Sequence, residues 1–136
     1  MNGTARRENI ETVMAWLDAM RRKDLDAAVA HFAPDVIWEG LVPGIECSNR
    51  DEVREMLSES INEALDVEHL EVIGGDAHAV LALQSSQLEE LAGVKLNGQL
   101  FNVFTIQDRR IVRVHDFALR GEALGAAGLQ DLSNWH

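Results

Sequence analysis

The hydrophobic pattern of this chain changes period near residue 66, and that change limits what it can fold into. Before it, apolar residues recur at spacings of three and four; after it, they fall in short β-rich runs. Ile10, Val13, Met14, Leu17 and Met20 form a stripe on a helix from about Thr4 to Lys23. Asp24 is placed to cap a second helix that buries Leu25, Ala28, Val29 and Phe32 and stops near Ala33, because Pro34 follows. Val36 to Glu39 is β-rich, and Gly40 to Ser48, with Pro43 and Gly44, reads as a loop. Ser48 or Asn49 caps a third helix, with Asp51 and Glu52 suiting its positive end. Its inward stripe is Val53, Met56, Leu57, Ile61 and Ala64, and it ends near Leu65.

The second half predicts strands over Val67 to Ile73, Ala77 to Leu88, Leu96 to Gln107 and Ile111 to Ala118, with turns at Gly74-Gly75-Asp76 and Asp108-Arg109-Arg110. A short helix from about Glu122 to Ala127 follows, stopped by Gly128. Three helices ahead of a curved antiparallel meander predict an α+β domain. It is cone-shaped, its helices cover the concave face of the sheet, and the two enclose an interior pocket. No repeat or linker interrupts the chain, so residues 1–136 are expected to form a single domain.

The net charge of −11 would repel phosphate backbones and anionic lipid, which disfavours nucleic-acid and membrane roles. No apolar run approaches the roughly 18 residues of a membrane-spanning helix. The lone cysteine, Cys47, cannot form an internal disulfide, and the first ten residues hold no apolar run of the signal-peptide kind, so a cytoplasmic location is expected.

The candidate site comes from polar residues in apolar series. Along the last strand Val112, Val114, Asp116 and Ala118 share one face, and Ile111, Arg113, His115 and Phe117 the other. Asp116 therefore falls on the more apolar face, where lost hydration raises a carboxyl pKa toward the range a general acid or base needs. Asn102 interrupts the face of Leu100, Phe104 and Ile106, while Gln84 and Ser86 continue that of Val80 and Ala82. Each buried polar group costs about 1 to 3 kcal/mol unless satisfied, so several on one surface point to a wet or ligand-filled cavity. The competing structural readings are that Asp116 bonds backbone at a strand end and that Gln84 to Gln87 is an exposed strand half.

The helix hairpin, Ala33-Pro34-Asp35-Val36-Ile37-Trp38-Glu39 and above all Asp108 to Phe117 resemble the SnoaL-like, nuclear transport factor 2-like proteins and limonene-1,2-epoxide hydrolase. The resemblance covers nearly the whole chain and implies the ketosteroid isomerase-like, or cystatin-like, roll. Set beside the epoxide hydrolases, the catalytic aspartate position is kept at Asp116. Their arginine and second aspartate fall on Gln84 and Ser86, and their tyrosine and asparagine on Trp38 and Gly40. Set beside the ketosteroid isomerases, the oxyanion-holding tyrosine falls on Trp16, the proton-shuttling aspartate on Gly40 and the protonated aspartate on Asn102. The resemblance thus implies a pocket with Asp116 as acid/base candidate, Asn102, Gln84 and Ser86 as orienting groups, and Trp16, Met20, Trp38, Leu57, Phe104 and Val114 as walls. Trp16 and Trp38 could stack against a ring, yet such residues are more often plain core.

Other constellations carry less. His31, His69, His78, His115 and His136 lack metal-ligand spacing, so no metal is expected, and His31 suits the carbonyl end of the second helix. Glu39, opposite the Trp38 face, is expected to pair with a surface arginine, and Cys47 has no activating neighbour. Without a phosphate-binding glycine loop or a nucleophile elbow, no cofactor is expected. Phe101, Val103, Ile111 and Phe117 would leave an apolar patch on the outer sheet face, which predicts a homodimer. Two functions remain open. One is an acid/base enzyme of isomerase, cyclase, dehydratase or hydrolase type acting on a small, largely apolar molecule; the other is a non-catalytic small-molecule binding or scaffold protein with a degenerate site.

Overall fold

A computed structural model describes residues 3–42, 44, 46–62, 67–91 and 93–129. Helix α1 (Gly3–Arg21) ends where Lys23 turns left-handed at φ 58°. The turn lets Lys23 N–H reach the Met20 carbonyl and Asp24 N–H the Ala19 carbonyl, both at 3.0 Å. The Asp24 carboxylate then accepts from Ala27 N–H at 3.1 Å and starts α2 (Leu25–Val29), so one short link closes the helix hairpin. This second helix is shorter than its apolar stripe suggests. Phe32 instead opens strand β1 (Phe32–Glu39), paired with Ile111, and Pro34 lies where the β1 register shifts between Phe32 and Ile37.

Strand β2 (Glu46–Cys47) extends the edge beside Trp38 and Glu39. Helix α3 (Arg50–Ser60) starts at Asn49, whose side chain accepts from Glu52 N–H at 2.9 Å while Glu52 Oε1 accepts from Ser48 N–H at 2.6 Å. The expected Asn49→Ala result is a loss of about 1 kcal/mol in a urea titration. An unchanged midpoint would show that the cap contributes nothing. Val53, Leu57 and Ile61 are buried as their spacing predicts, whereas Ala64 and the helix end expected near Leu65 lie outside the described residues.

Strands β3 (His69–Gly74), β4 (His78–Gln84), β7 (Gln99–Gln107) and β8 (Arg110–Phe117) form the antiparallel meander. Asp108 and Arg109, both at positive φ, make the two-residue turn between β7 and β8. The run expected to reach Leu88 stops at Gln84, and a small hairpin of β5 (Glu90–Leu91) and β6 (Val94–Lys95) stands between β4 and β7. The curved, open sheet has the order β2-β1-β8-β7-β4-β3, with β1 parallel to β8 rather than antiparallel.

Cross-strand register decides which residues meet the helices. Ala79, Phe104 and Val114 line up across β4, β7 and β8 and pack with Val13, Trp16, Val53 and Leu57 of α1 and α3. The opposite face carries Val80, Ala82, Phe101 and Val103 beneath Ala123 and Leu124 of α4 (Arg120–Ala126). Gly128, at φ +70°, ends α4, with Leu129 N–H returning to the Leu124 carbonyl at 2.8 Å. Helix α1 comes close enough to the β3 end that a Cβ on Gly74 would sit 2.6 Å from Ile10 Cγ1. Asn9 fixes this contact by donating to the Gly75 and Asp76 carbonyls at 2.9 and 3.1 Å.

The outer patch that suggested a homodimer is therefore covered within the chain. Phe101 and Val103 lie under α4, with Phe117 packed beside them. Ile111 lies in the main core instead, because a bulge after it shifts the pairing from Ile106↔Ile111 to Thr105↔Arg113 and reverses its face.

Candidate functional site

The β7–β8 register sets Asn102 directly opposite Asp116, two residues from the Phe104↔Val114 pair on the same concave face. Trp38 of β1 lies alongside Val114 from the other side. Three strands thus bring three polar side chains together. Trp38 Nε1 donates to Asp116 Oδ2 at 3.1 Å, and Asn102 Nδ2 donates to Oδ1 at 2.6 Å. Each carboxylate oxygen keeps a second lone pair for a further donor.

Burial pushes the Asp116 carboxyl above the ordinary aspartate value, against the opposing pull of the Trp38 and Asn102 hydrogen bonds and of nearby His115. Desolvation outweighs the donors here. The expected effect of Trp38→Phe, which keeps an aromatic ring and removes one donor, is to raise the Asp116 pKa further; carboxyl-resolved NMR titration reads it, and a fall would reverse the assignment of the donor.

The last β1–β8 pair is Glu39 and His115, and β8 continues beyond it to Phe117. A cleft of about 430 Å³ opens at this end of β8. Leu41, Val94, Phe117, Ala118 and Leu119 give it apolar walls, and Lys95, His115, Asp116 and Glu122 its charged or titratable groups. Among the described residues, no three His, Cys, Asp or Glu side chains group closely enough to hold a metal ion.

The other sequence candidates divide. Trp16, Leu57, Phe104 and Val114 are core residues, with Met20 packed against them, and none of the five lines this cleft. The Trp16 ring centroid lies 5.4 Å from that of Phe104 and 6.2 Å from that of Trp38, an aromatic cluster that backs the Asp116 pair. Gln84 is not brought to Asp116. The concave residues of β4 are Ala79, Leu81 and Leu83, so Gln84 shares the outer face with Val80 and Ala82. Ser86 lies past the end of β4, exposed, its N–H donating to Glu68 Oε2 at 2.5 Å.

Glu39 does pair with a surface arginine, Arg113, and also lies 3.0 Å from His115 Nδ1. His31 follows α2, and burial lowers its pKa, so the favourable field expected at a helix carbonyl end does not dominate there. Burial, aided by Glu52 and Glu55, pushes the Cys47 thiol up and away from reactivity. Sequence reasoning missed His115 as a cleft residue. Alternation turns it away from Asp116, yet both border the cleft where β8 continues past its last pair with β1.

Residues 13–114 match the SnoaL-like domain family. The chain is a SnoaL-like protein. Asp116 of this SnoaL-like protein lies just past the matched segment. No curated protein matches the chain in sequence. Among solved structures, a candidate polyketide cyclase from Xanthomonas campestris is similar at 20% identity and a TM-score of 0.63, over 89% of this chain and 97% of its own. A candidate ketosteroid isomerase from Kribbella flavida gives 15% identity and a TM-score of 0.61, over 82% of this chain and 78% of its own. A nuclear transport factor 2-like protein of unknown function from Cytophaga hutchinsonii gives 10% identity and a TM-score of 0.59, over 78% and 85%. At these identities the likeness shows the fold, and no described helix is long and apolar enough to cross a membrane.

Proposed function

We propose that this SnoaL-like protein is an acid/base enzyme that moves a proton on a small, largely apolar carbonyl compound, with Asp116 as the proton acceptor. The observation that carries the reading is a desolvated carboxylate, oriented through both oxygens by Trp38 and Asn102, at the edge of a cleft that combines apolar walls with titratable groups. Desolvation makes the carboxylate a stronger base, and the two donors fix its direction. A carboxylate of this kind removes a proton from carbon only where an adjacent carbonyl can take up the electron pair. Isomerisation and cyclisation both begin that way, and the similar solved structures include candidates for each, both named for keto compounds.

The second reading, a small-molecule binding or scaffold protein, is favoured by one observation: both Asp116 oxygens already have donors within the chain, as in a purely structural cross-link. Exchange of the activated methylene protons of β-tetralone, an apolar ketone, in heavy water separates the two. Catalysis predicts that the protein accelerates loss of the methylene NMR signal above the buffer rate. Saturable binding of the ketone with no acceleration would favour the binding protein.

A further inference from the structure

Asp116 shares its cleft with a second titratable group. His115 reaches the cleft from the opposite face of β8, and its imidazole is held in two ways. Nδ1 lies 3.0 Å from Glu39 Oε2, and the ring packs on Phe117 with centroids 4.3 Å apart. Glu39 is itself held, because its other oxygen accepts from Arg113 Nη2. A carboxylate at Nδ1 selects the tautomer with its proton on Nδ1, which leaves Nε2 as the nitrogen free to exchange protons. The remaining charged groups at the cleft are Lys95 of β6 and Glu122 of α4.

Neighbouring residues on a strand point to opposite faces and ordinarily cannot serve one site. Here they can, because β1 stops pairing at Glu39 while β8 runs on, so the cleft borders both faces of the strand. We infer that the Glu39–His115 pair is the second proton-transfer station of the Asp116 cleft, an inference that rests on the proposed acid/base function. Asp116 takes a proton from carbon, and the C–H electron pair becomes the C=C bond of an enol. In its imidazolium form His115 gives the Nε2 proton to the carbonyl oxygen, whose π pair becomes the new O–H bond, and the neutral ring keeps its proton on Nδ1 beside Glu39. In the return step the enol C=C pair takes a proton from Asp116 at the same carbon. Where a second C=C is conjugated to the enol, that second pair takes it at its far carbon while the enol pair shifts to lie between the two former double bonds. In both cases Nε2 recovers the hydroxyl proton as the carbonyl re-forms. Removing carbon-bound and supplying oxygen-bound protons from two groups avoids a free enolate, which is the role a lone carboxylate leaves unfilled.

The test combines β-tetralone exchange in heavy water with imidazole nitrogen NMR on the full-length protein. Both His115→Gln and Glu39→Gln are expected to slow exchange, the first by about 10²-fold, the scale of one positioned acid or base. In the wild type neutral His115 carries its proton on Nδ1, and Glu39→Gln weakens that preference. An Nε2-protonated wild-type tautomer overturns the inference without any turnover, and so does full exchange activity in both variants while Asp116→Asn is inactive. Unchanged exchange in Asp116→Asn overturns the acid/base reading itself, and the inference with it.

Discussion

Asp116→Asn is expected to lose β-tetralone exchange by about 10²–10⁴-fold while unfolding at a higher temperature than the wild type at neutral pH. The two effects have one cause. Burial raises the folded carboxyl above its ordinary value of 3.8, so the folded state holds its proton to a higher pH than the unfolded chain does. Below that ordinary value both states are protonated and Asp116 makes no difference. As pH rises from there through the folded pKa, the unfolded chain releases its proton first and the native state loses stability. The introduced amide carries no charge and avoids that loss. It can accept from one of the two donors, and rotation of the Asn102 amide would offer a carbonyl to its NH₂ group. Its thermal advantage should therefore shrink as pH falls toward 3.8. Asp116→Ala is the contrast, since it leaves Trp38 Nε1 and Asn102 Nδ2 without their acceptor at about 1 to 3 kcal/mol each. If the amide destabilises at neutral pH as much as alanine does, the carboxylate is a structural cross-link and the catalytic reading fails.

The second large effect is on the fold. Phe104 is fully buried, with its ring against Trp16 and its strand position opposite Val114, so it joins the helices to the sheet directly behind the Asp116 pair. Phe104→Ala should remove about 3 to 5 kcal/mol, which is a large share of the roughly 5 to 15 kcal/mol that holds a domain of this size together. Urea unfolding of the variant reads it directly. A loss below about 1 kcal/mol would mean that the aromatic cluster collapses around the gap and does not set the site's position.

How far the sequence reaches can be seen in single residues. The α1, α3 and meander stripes were legible because their spacing is a local property of the chain. Asp116 and Asn102 were legible as interruptions of apolar faces, and both lie on the concave face. Gln84 showed the same kind of pattern and faces outward, since parity along one strand does not tell which side the neighbouring strands bury. Ile111 was misread for a different reason: a bulge beside the β7–β8 turn reverses its side, and nothing in its own segment marks the extra residue. Phe32 fits a helical stripe by spacing, yet pairing with Ile111 places it in β1, a long-range contact overriding local period. The cleft was hidden too, because it depends on where β1 stops pairing with β8, which the residues of neither strand state alone.

At Asp116 desolvation outweighs two hydrogen bonds. A carboxyl-resolved NMR titration of the wild-type protein measures that balance at the residue itself. The structure predicts a midpoint above the ordinary aspartate value of 3.8, rising again in Trp38→Phe. A midpoint at or below 3.8 would mean that the donors win, leaving Asp116 a stabilised ion in a polar cross-link instead of a base held ready for a substrate.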